Sequence, residues 1–267
     1  MASGAVSSVG DVELERFWGI AENGESIEVA VMASLVDELD RRWPPLGLVR
    51  SREPDGTVSG RVGLSNEWII VPDTVESGDR PPPVAWDLLE STLTLFAVSR
   101  LTRLVAVHSA AIAHNGRVLV VPAVSEGGKS TLSIAAVAAG ALLLSDEYTL
   151  IDPGTGLVTG WRRPVRRRCG DGTTERLDLV VPSQPMVVGL IAAVTYDPSG
   201  QGTWSPVSPA EATTTLLAHT VCARSRPDDA LDAVLAITRT TPAVAGHRPD
   251  ASTAIEALLD LMDQSQS

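Results

Sequence analysis

The sequence predicts an α/β fold built on a mixed, partly antiparallel sheet. Short runs of consecutive apolar residues, such as 118–121, are typical of strands that are buried on both faces. Turn sequences at 115–116 (Asn-Gly) and 153–156 (Pro-Gly-Thr-Gly) each join two apolar runs, which predicts antiparallel hairpins. Stretches with the helical spacing of apolar residues lie between these strands. This order of hairpins and helices is the pattern of a mixed α/β sheet.

The N-terminal region, residues 1–80, gives weaker signals, and its fold stays undetermined at this level. Apolar spacing predicts a helix over 28–42, which a Trp-Pro-Pro sequence ends because proline cannot continue a helix. Alternation of apolar and polar residues over 60–71 predicts strand. The proline-rich segment 77–83 is the best linker candidate, so we expect a second domain over 81–267.

The second region gives a clear succession of elements. The predicted elements are a helix over 83–103, strands over 104–113 and 117–122, a helix over 129–139, strands over 141–144, 148–152, 157–161 and 187–196, helices over 209–219 and 228–239, a strand over 243–246 and a helix over 251–262. Glycine at 140 ends the second of these helices. The residue types that carry chemistry cluster between the two hairpins and just after them.

Composition excludes several classes of protein. The formal net charge of −12 argues against nucleic acid as a partner, because nucleic-acid binding needs a basic surface. Two cysteines make neither a disulfide framework nor a zinc site. The first residues lack the basic start and apolar core of a signal peptide, and no apolar stretch is long enough to span a bilayer. We therefore expect a cytoplasmic protein without a membrane partner.

A single lysine stands out in this composition. Of the 21 cationic side chains, all except Lys129 are arginines. Lysine is a compact, flexible point charge, and few of its roles cannot be taken by arginine. The position of Lys129 therefore invites a functional explanation.

Lys129 lies in the sequence context of a phosphate-binding loop. Residues 117–132 read RVLVVPAVSEGGKSTL, in which a buried strand runs into a small-residue loop and then into a helix. The backbone N–H groups of such a loop bind anions, and the N-terminus of the helix adds partial positive charge. Lys129 would reach the β- and γ-phosphate oxygens, and the hydroxyl of Ser130 would hold Mg²⁺.

The loop departs from the full pattern at two positions. Ala123 occupies the first position, where the pattern has glycine, and the carboxylate of Glu126 must point outward if the loop binds phosphate. The alternative interpretation is an ordinary strand–turn–helix that happens to contain Gly-Gly-Lys-Ser-Thr. The placement of strand, helix and lysine favours the phosphate site.

Two carboxylates follow the next predicted strand. Asp146 and Glu147 come directly after residues 141–144, and the carboxyl ends of strands line the ligand crevice in open α/β sheets. Asp146 would either hold Mg²⁺ or accept the proton of an attacking hydroxyl, and Glu147 could share the metal. The alternative is a solvated turn. His108, on the strand before the loop, is by itself most simply explained as a core histidine.

The grouping of His108-Ser109, VLVVPAVSEGGKSTL and LLLSDEY resembles the HPr kinase/phosphorylase family. It is more closely similar to the small HPr-kinase-like proteins of bacterial biosynthetic clusters. The resemblance covers about residues 104–170 well and 185–262 more loosely. It implies a P-loop kinase of the HPr kinase/phosphoenolpyruvate carboxykinase type, with Asp146 as catalytic base, and His108 and Lys129 as further catalytic residues. The nucleotide-binding residues that it implies are Ser125, Gly127, Gly128, Lys129, Ser130 and Thr131.

An arginine cluster follows the acidic pair. Residues 161–168 read WRRPVRRR, and arginines beside a phosphate site stabilise the transferring phosphoryl group. We expect Arg163 or Arg166 to contribute to nucleotide binding. The alternative is a solvated edge strand whose charges prevent edge pairing.

The sequence therefore predicts a nucleotide- and Mg²⁺-dependent kinase, with ATP or another phosphoryl donor as cofactor. The sequence does not match the C-terminal signature by which HPr-directed enzymes bind their protein substrate. The expected acceptor is therefore a hydroxyl of a peptide or protein serine, or of a small alcohol. A homo-oligomer is compatible with the resemblance. The alternatives are a non-catalytic nucleotide-binding sensor or accessory protein, which the altered loop motivates, and a nucleotide hydrolase.

Overall fold

The computed structural model describes residues 14–64, 68–71, 74–77, 83–122, 128–169, 174–181, 184–200 and 202–265. The chain forms two compact units, Met1–Arg100 and Leu101–Ser267. The expected boundary at residue 80 therefore differs from the division in the structure, which follows Arg100. The reason is that the helix after the linker packs on the N-terminal sheet.

Among its described residues, the N-terminal unit forms a six-stranded sheet with two α-helices. Its elements are β1 (Leu14–Ala21), β2 (Ser26–Met32), α1 (Val36–Arg42), β3 (Leu48–Ser51), β4 (Val58–Leu64), β5 (Trp68–Val71), β6 (Thr74–Ser77) and α2 (Pro83–Ser99). The strand order is β3-β1-β2-β4-β5-β6, in which β2 and β4 run parallel and the other neighbours are antiparallel. This sheet is mixed, like the one that follows it.

The predicted helix over 28–42 is wrong in its first part. Residues up to Met32 belong to β2, and the helical part is a 3₁₀ turn over Ala33–Leu35 followed by α1, which ends before Trp43 as expected. Ile27, Val29 and Val31 alternate along β2 and are fully buried, which is the two-residue period of a strand. These β-branched side chains also favour extended backbone.

The other N-terminal predictions fare better. Strand over 60–71 is confirmed as β4 and β5, with residues 65–67 outside the described part of the chain. The helix predicted over 83–103 is confirmed as α2 but ends at Ser99. Most of the linker candidate, residues 78–82, lies outside the described residues. The strands β1, β3 and β6 were not predicted.

The C-terminal unit contains an eight-stranded sheet, a two-stranded sheet and four helices among its described residues. Its elements are β7 (Val105–His114), β8 (Arg117–Pro122), α3 (Lys129–Ala138), β9 (Leu142–Ser145), β10 (Tyr148–Ile151), β11 (Val158–Gly160), β12 (Val165–Arg168), β13 (Thr174–Leu177), β14 (Val187–Tyr196), β15 (Trp204–Pro206), α4 (Pro209–Ala218), α5 (Pro227–Thr238), β16 (Ala243–Arg248) and α6 (Ala251–Gln264).

The larger sheet is mixed, as predicted. Its order is β11-β10-β7-β8-β14-β16-β15, with β9 also paired to β7. The central strands β8, β14 and β16 run parallel, and the outer neighbours are antiparallel. The α/β class with a partly antiparallel sheet is therefore confirmed. Both predicted hairpins are present, and Asn115 and Gly116 adopt the positive φ angles of 47° and 77° that the first turn requires.

Helices cover both faces of this sheet. Val118 and Val120 of β8 pack with α4 and α5, while Leu119 and Val121 pack with α3 and α6. Successive residues of a strand point to opposite faces, so a strand buried between two helical layers must be apolar throughout.

No helix among the described residues is long and apolar enough to cross a membrane.

The hairpin of β10 and β11 fits tightly against β9. A Cβ atom at Gly160 of β11 would overlap the carbonyl oxygen of Leu144 in β9. Only glycine allows this close approach of two backbones. Because β9 carries the carboxylates Asp146 and Glu147 at its end, this contact helps to fix the position of those side chains.

We predict that Gly160→Ala lowers the free energy of unfolding by about 3 kcal/mol, the cost of forcing an extra carbon into a packed region. Gly154→Ala in the exposed turn of the same hairpin is the matched control, because its Cβ would meet only a carboxylate oxygen of Asp152, 3.3 Å away. Denaturant unfolding of both variants measures the difference. Equal stability of the two variants would contradict the close contact.

Candidate functional site

The phosphate-loop candidate has the strand and helix that it requires. Strand β8 ends at Pro122, and α3 begins at Lys129. Gly128 caps the helix in a left-handed conformation with φ 76°, and its carbonyl accepts a hydrogen bond from the N–H of Leu132 (3.0 Å). The loop residues Ala123, Val124, Ser125, Glu126 and Gly127 lie outside the described residues.

The first turn of α3 presents donors at this end of the sheet. The first N–H groups of any helix lack intrahelical partners and point out along its axis. Ser130 is partly buried and Thr131 is exposed, so both are accessible at the start of the helix. Such a terminus binds anions through its N–H groups and its partial positive charge.

Lys129 is buried, with 9% of its surface exposed. Burial lowers the pKa of its ammonium group, the negative charges of Asp146 and Glu147 raise it, and the positive charge of Arg163 lowers it. These influences show that the lysine shares its surroundings with both carboxylates and with an arginine. Lys129 and the acidic pair therefore interact electrostatically, and the roles expected of them stay predictions.

Asp146 lies just after β9 and is 4% exposed. Its Oδ2 accepts a hydrogen bond from the hydroxyl of Ser130 (3.0 Å), while no described residue donates a hydrogen bond to its Oδ1. The hydroxyl of Ser145 accepts from the N–H groups of Glu147 and Tyr148 (3.1 Å each), which holds the turn. The acidic turn is thus buried rather than solvated.

This arrangement fits a magnesium ion. The carboxylate oxygen to which no described residue donates and the serine hydroxyl are the hard oxygen ligands that Mg²⁺ prefers. Among the described residues, no group of three or more histidine, cysteine, aspartate or glutamate side chains could hold a metal. Magnesium commonly takes only one or two carboxylates and completes its shell with water and substrate phosphates.

Glu147 forms an ion pair with Arg163, whose Nη1 lies 2.5 Å from Oε2 of the glutamate. Their side chains are only 14% and 9% exposed, so solvent screens the pair weakly. Ser109 donates its N–H to the carbonyl of Glu147 (3.0 Å), which ties the turn to β7. Arg163 is therefore anchored beside the site, and metal binding by Glu147 stays a prediction.

His108 lies opposite Tyr148 across the β7–β10 pair, with their ring centres 5.5 Å apart. Burial lowers the pKa of its imidazole to about 4, and the positive charges of Lys129, His219 and Arg163 act in the same direction. The ring is therefore neutral at pH 7 and can accept a hydrogen bond. The structure brings this histidine close to Lys129.

Arg166 lies on β12, which packs against α3. Its positive charge acts on Tyr148, whose pKa is raised chiefly by burial and also by Glu147. Its neighbour Arg167 points away and pairs with Glu175 on β13. Arg166 and Arg167 therefore lie on opposite faces of β12, as successive residues of a strand do.

Two site residues were missed by the sequence analysis. His219 is the C-cap residue that follows α4, and its backbone carbonyl accepts a hydrogen bond from the N–H of His108 (2.8 Å). Burial and the positive charge of Lys129 lower the pKa of its imidazole. Arg248 ends β16 and donates a hydrogen bond to the carbonyl of Gly128 (3.2 Å). The rule that ligands bind at the carboxyl ends of parallel strands would have found Arg248, had the strand predicted over 243–246 been two residues longer.

Comparison with known proteins gives no support from homology. No protein-family model matches the chain, and no curated protein matches its sequence. The chemistry of this site must therefore be argued from its own side chains.

We predict that the protein loses stability as the pH falls from 6.5 towards 4. In this window the unfolded chain protonates His108 while the folded protein, with its lowered pKa, does not, so protons favour unfolding. His108→Gln should make the free energy of unfolding less dependent on pH in this range. Denaturant unfolding at several pH values measures the effect.

His247→Gln is the matched control, because the side chain of His247 is exposed. It should retain the pH dependence of the wild-type protein. A wild-type-like pH dependence in His108→Gln would show that His108 is not held neutral by its surroundings.

Proposed function

We propose that the protein is a nucleotide- and Mg²⁺-dependent kinase that transfers a phosphoryl group to a hydroxyl acceptor. The observation that carries this proposal is the hydrogen bond from Ser130 Oγ to Asp146 Oδ2, 3.0 Å long, beside the buried Lys129. This hydrogen bond joins the first turn of α3 to the carboxylate that follows β9, the next strand along the chain. P-loop enzymes that transfer phosphoryl groups recurrently use this combination of a lysine, a hydroxyl and a carboxylate.

Lys129 and the start of α3 bind the phosphates in this proposal. The ammonium group neutralises charge on the terminal phosphate oxygens, and the first N–H groups of α3 donate hydrogen bonds to the phosphate oxygens of the nucleotide. Burial of Lys129 matters because electrostatic interactions strengthen where water is excluded. Ser130 and Asp146 hold the metal, which supplies positive charge to the phosphates when it is bound.

Asp146 has a second candidate role as the catalytic base. One oxygen is engaged by Ser130, while no described residue donates to Oδ1. A carboxylate oxygen in this state accepts either a metal ion or the proton of the acceptor hydroxyl. The neutral imidazole of His108 supports the proposal, because it is a hydrogen-bond acceptor whose pKa is lowered by burial and also by the positive charge of Lys129.

Arg163 and Arg166 supply further positive charge to the same region. Arg163 forms an ion pair with Glu147, and its positive charge lowers the pKa of Lys129 and of His108. Positively charged groups fixed before the reaction stabilise the charge that develops on a transferring phosphoryl group. We therefore assign both arginines to the phosphoryl-binding surroundings.

The family assignment is part of the same proposal. The order of His108, the loop at 117–132 and the acidic pair resembles the small HPr-kinase-like proteins, and the mixed sheet is compatible with that fold. ATP is the proposed donor. The acceptor is a serine hydroxyl of a peptide or protein, or a small alcohol. A sensor that binds nucleotide without transferring phosphate is the second candidate, because Glu126 brings a carboxylate into the loop sequence.

We predict that Lys129→Ala and Asp146→Asn each lower phosphate transfer by at least about 100-fold, because transfer depends on positioning and charge. The two variants should differ in binding. Lys129→Ala should lose affinity for Mg·ATP, whereas Asp146→Asn should still bind nucleotide. Transfer from labelled ATP to serine peptides and simple polyols, together with calorimetry, measures both properties.

Arg239→Ala is the control, because it removes an exposed cation outside the site. Full transfer by either site variant would contradict the kinase proposal. Saturable nucleotide binding by the wild-type protein without transfer to any acceptor would favour the sensor. Release of free phosphate that is independent of acceptor would favour a hydrolase.

A further inference from the structure

Arg248 occupies a position at which ligands bind in open α/β sheets. It is the last residue of β16 and lies opposite Tyr196, the last residue of the parallel strand β14. Its carbonyl accepts the N–H of Asp197 (3.0 Å), which fixes the backbone at the ends of the two strands. The carboxyl ends of β8, β14 and β16 meet at one edge, where α3 begins.

The guanidinium of Arg248 is buried without a carboxylate partner. The residue is 3% exposed, and among the described residues no carboxylate lies within 4.0 Å of its nitrogens. The nearby Asp250 instead caps α6 by accepting the N–H of Thr253 (2.8 Å). Burial lowers the pKa of Arg248, while electrostatic interactions with Tyr196 and Asp250 raise it. A buried charge with no carboxylate in direct contact is costly, so such a group commonly marks the site of an anionic ligand.

Neutral contacts fix the orientation of this guanidinium. Its Nη2 donates to the carbonyl of Gly128 (3.2 Å), and its central carbon lies 5.1 Å from the ring centre of Tyr196. Among the described residues, its Nε and Nη1 have no hydrogen-bond partner. A Cβ atom at Gly128 would overlap Nη2, so glycine is required for the guanidinium to reach the start of α3. The arginine is therefore held beside Gly128, the residue before Lys129, and its Nε and Nη1 can donate to a ligand.

We propose that Arg248 is a second cationic contact for the polyphosphate chain of the nucleotide. Its remaining N–H groups donate to non-bridging phosphate oxygens, while Gly128 and Tyr196 hold the guanidinium plane. The planar fork of arginine suits two adjacent phosphate oxygens, whereas Lys129 acts as a point charge. This inference rests on the proposed function, because it places a further ligand-binding residue in the same site. It commits the ligand to a di- or triphosphate rather than a monophosphate.

The alternative is that Arg248 only anchors the start of α3. The two roles differ in the ligand-free protein. An anchor would stabilise the fold, so its removal would lower the melting temperature without ligand. A ligand contact that is unpaired in the free protein would leave that temperature unchanged or raise it when removed, and would reduce only the rise that ligand produces.

Binding of three probes tests the proposal: inorganic tripolyphosphate, Mg·AMP-PNP and AMP. Arg248→Gln should weaken binding of the first two by about 10- to 100-fold, the range expected for one charge-assisted hydrogen bond or a bidentate pair. It should leave the affinity for AMP unchanged. The melting temperature without ligand should not fall, and the rise caused by tripolyphosphate should shrink. Arg239→Gln, the same change at an exposed arginine, should behave as wild type.

The wild-type protein provides a second measurement if Arg248→Gln does not fold. In protein labelled with ¹⁵N-arginine, the Nε–H resonance of Arg248 is assigned as the one that Arg248→Lys removes. Tripolyphosphate should shift this resonance, and AMP should not. An unmoved resonance would overturn the proposal.

Lys129→Ala separates this inference from the proposed function. If Lys129→Ala loses tripolyphosphate binding while Arg248→Gln retains wild-type affinity, Arg248 is an anchor and the phosphate site stands. If Arg248→Gln loses binding while Lys129→Ala retains it, Arg248 binds the anion and the loop assignment fails. Loss in both variants supports both proposals, and a wild-type protein that binds no tripolyphosphate or AMP-PNP overturns both.

Discussion

The hydrogen bond between Ser130 and Asp146 is the contact on which the site depends. It connects the first turn of α3 to the turn after β9, two segments that the fold brings together only through the sheet. Without this contact, Lys129 would lie at a helix end with no defined relation to the acidic turn. The close approach of Gly160 in β11 to Leu144 in β9 supports the position of the acidic turn, because it fixes the strand that the turn follows.

Around this contact the site concentrates charge in a buried place. Lys129, Arg163 and Arg248 supply positive charge, and Asp146 and Glu147 oppose it. Glu147 is matched by Arg163, whereas Arg248 has only neutral contacts among the described residues. The excess of positive charge on the side of the helix terminus is what a polyphosphate would compensate. The net negative charge of the whole protein therefore says little about the sign of the potential in this crevice.

The sequence predicted the parts of the fold that local patterns determine. The buried strand β8 and the Asn-Gly turn that precedes it have strong local signals. Residues 28–32 failed because apolar spacing there fits both a helix and a strand, and pairing with neighbouring strands decided the outcome. Arg248 was missed because the strand predicted over 243–246 stopped two residues before it. Its burial and its contact with Gly128 also arise from elements far apart in the chain.

A crystal structure of the protein with Mg²⁺ and AMP-PNP tests the central claim most directly. The account predicts the terminal phosphate within hydrogen-bond distance of Lys129 Nζ and the metal on Ser130 Oγ and a carboxylate oxygen of Asp146. These contacts follow from the Ser130–Asp146 pair at the start of α3. Nucleotide bound elsewhere, or a phosphate chain that leaves Lys129 without contact, would contradict the account.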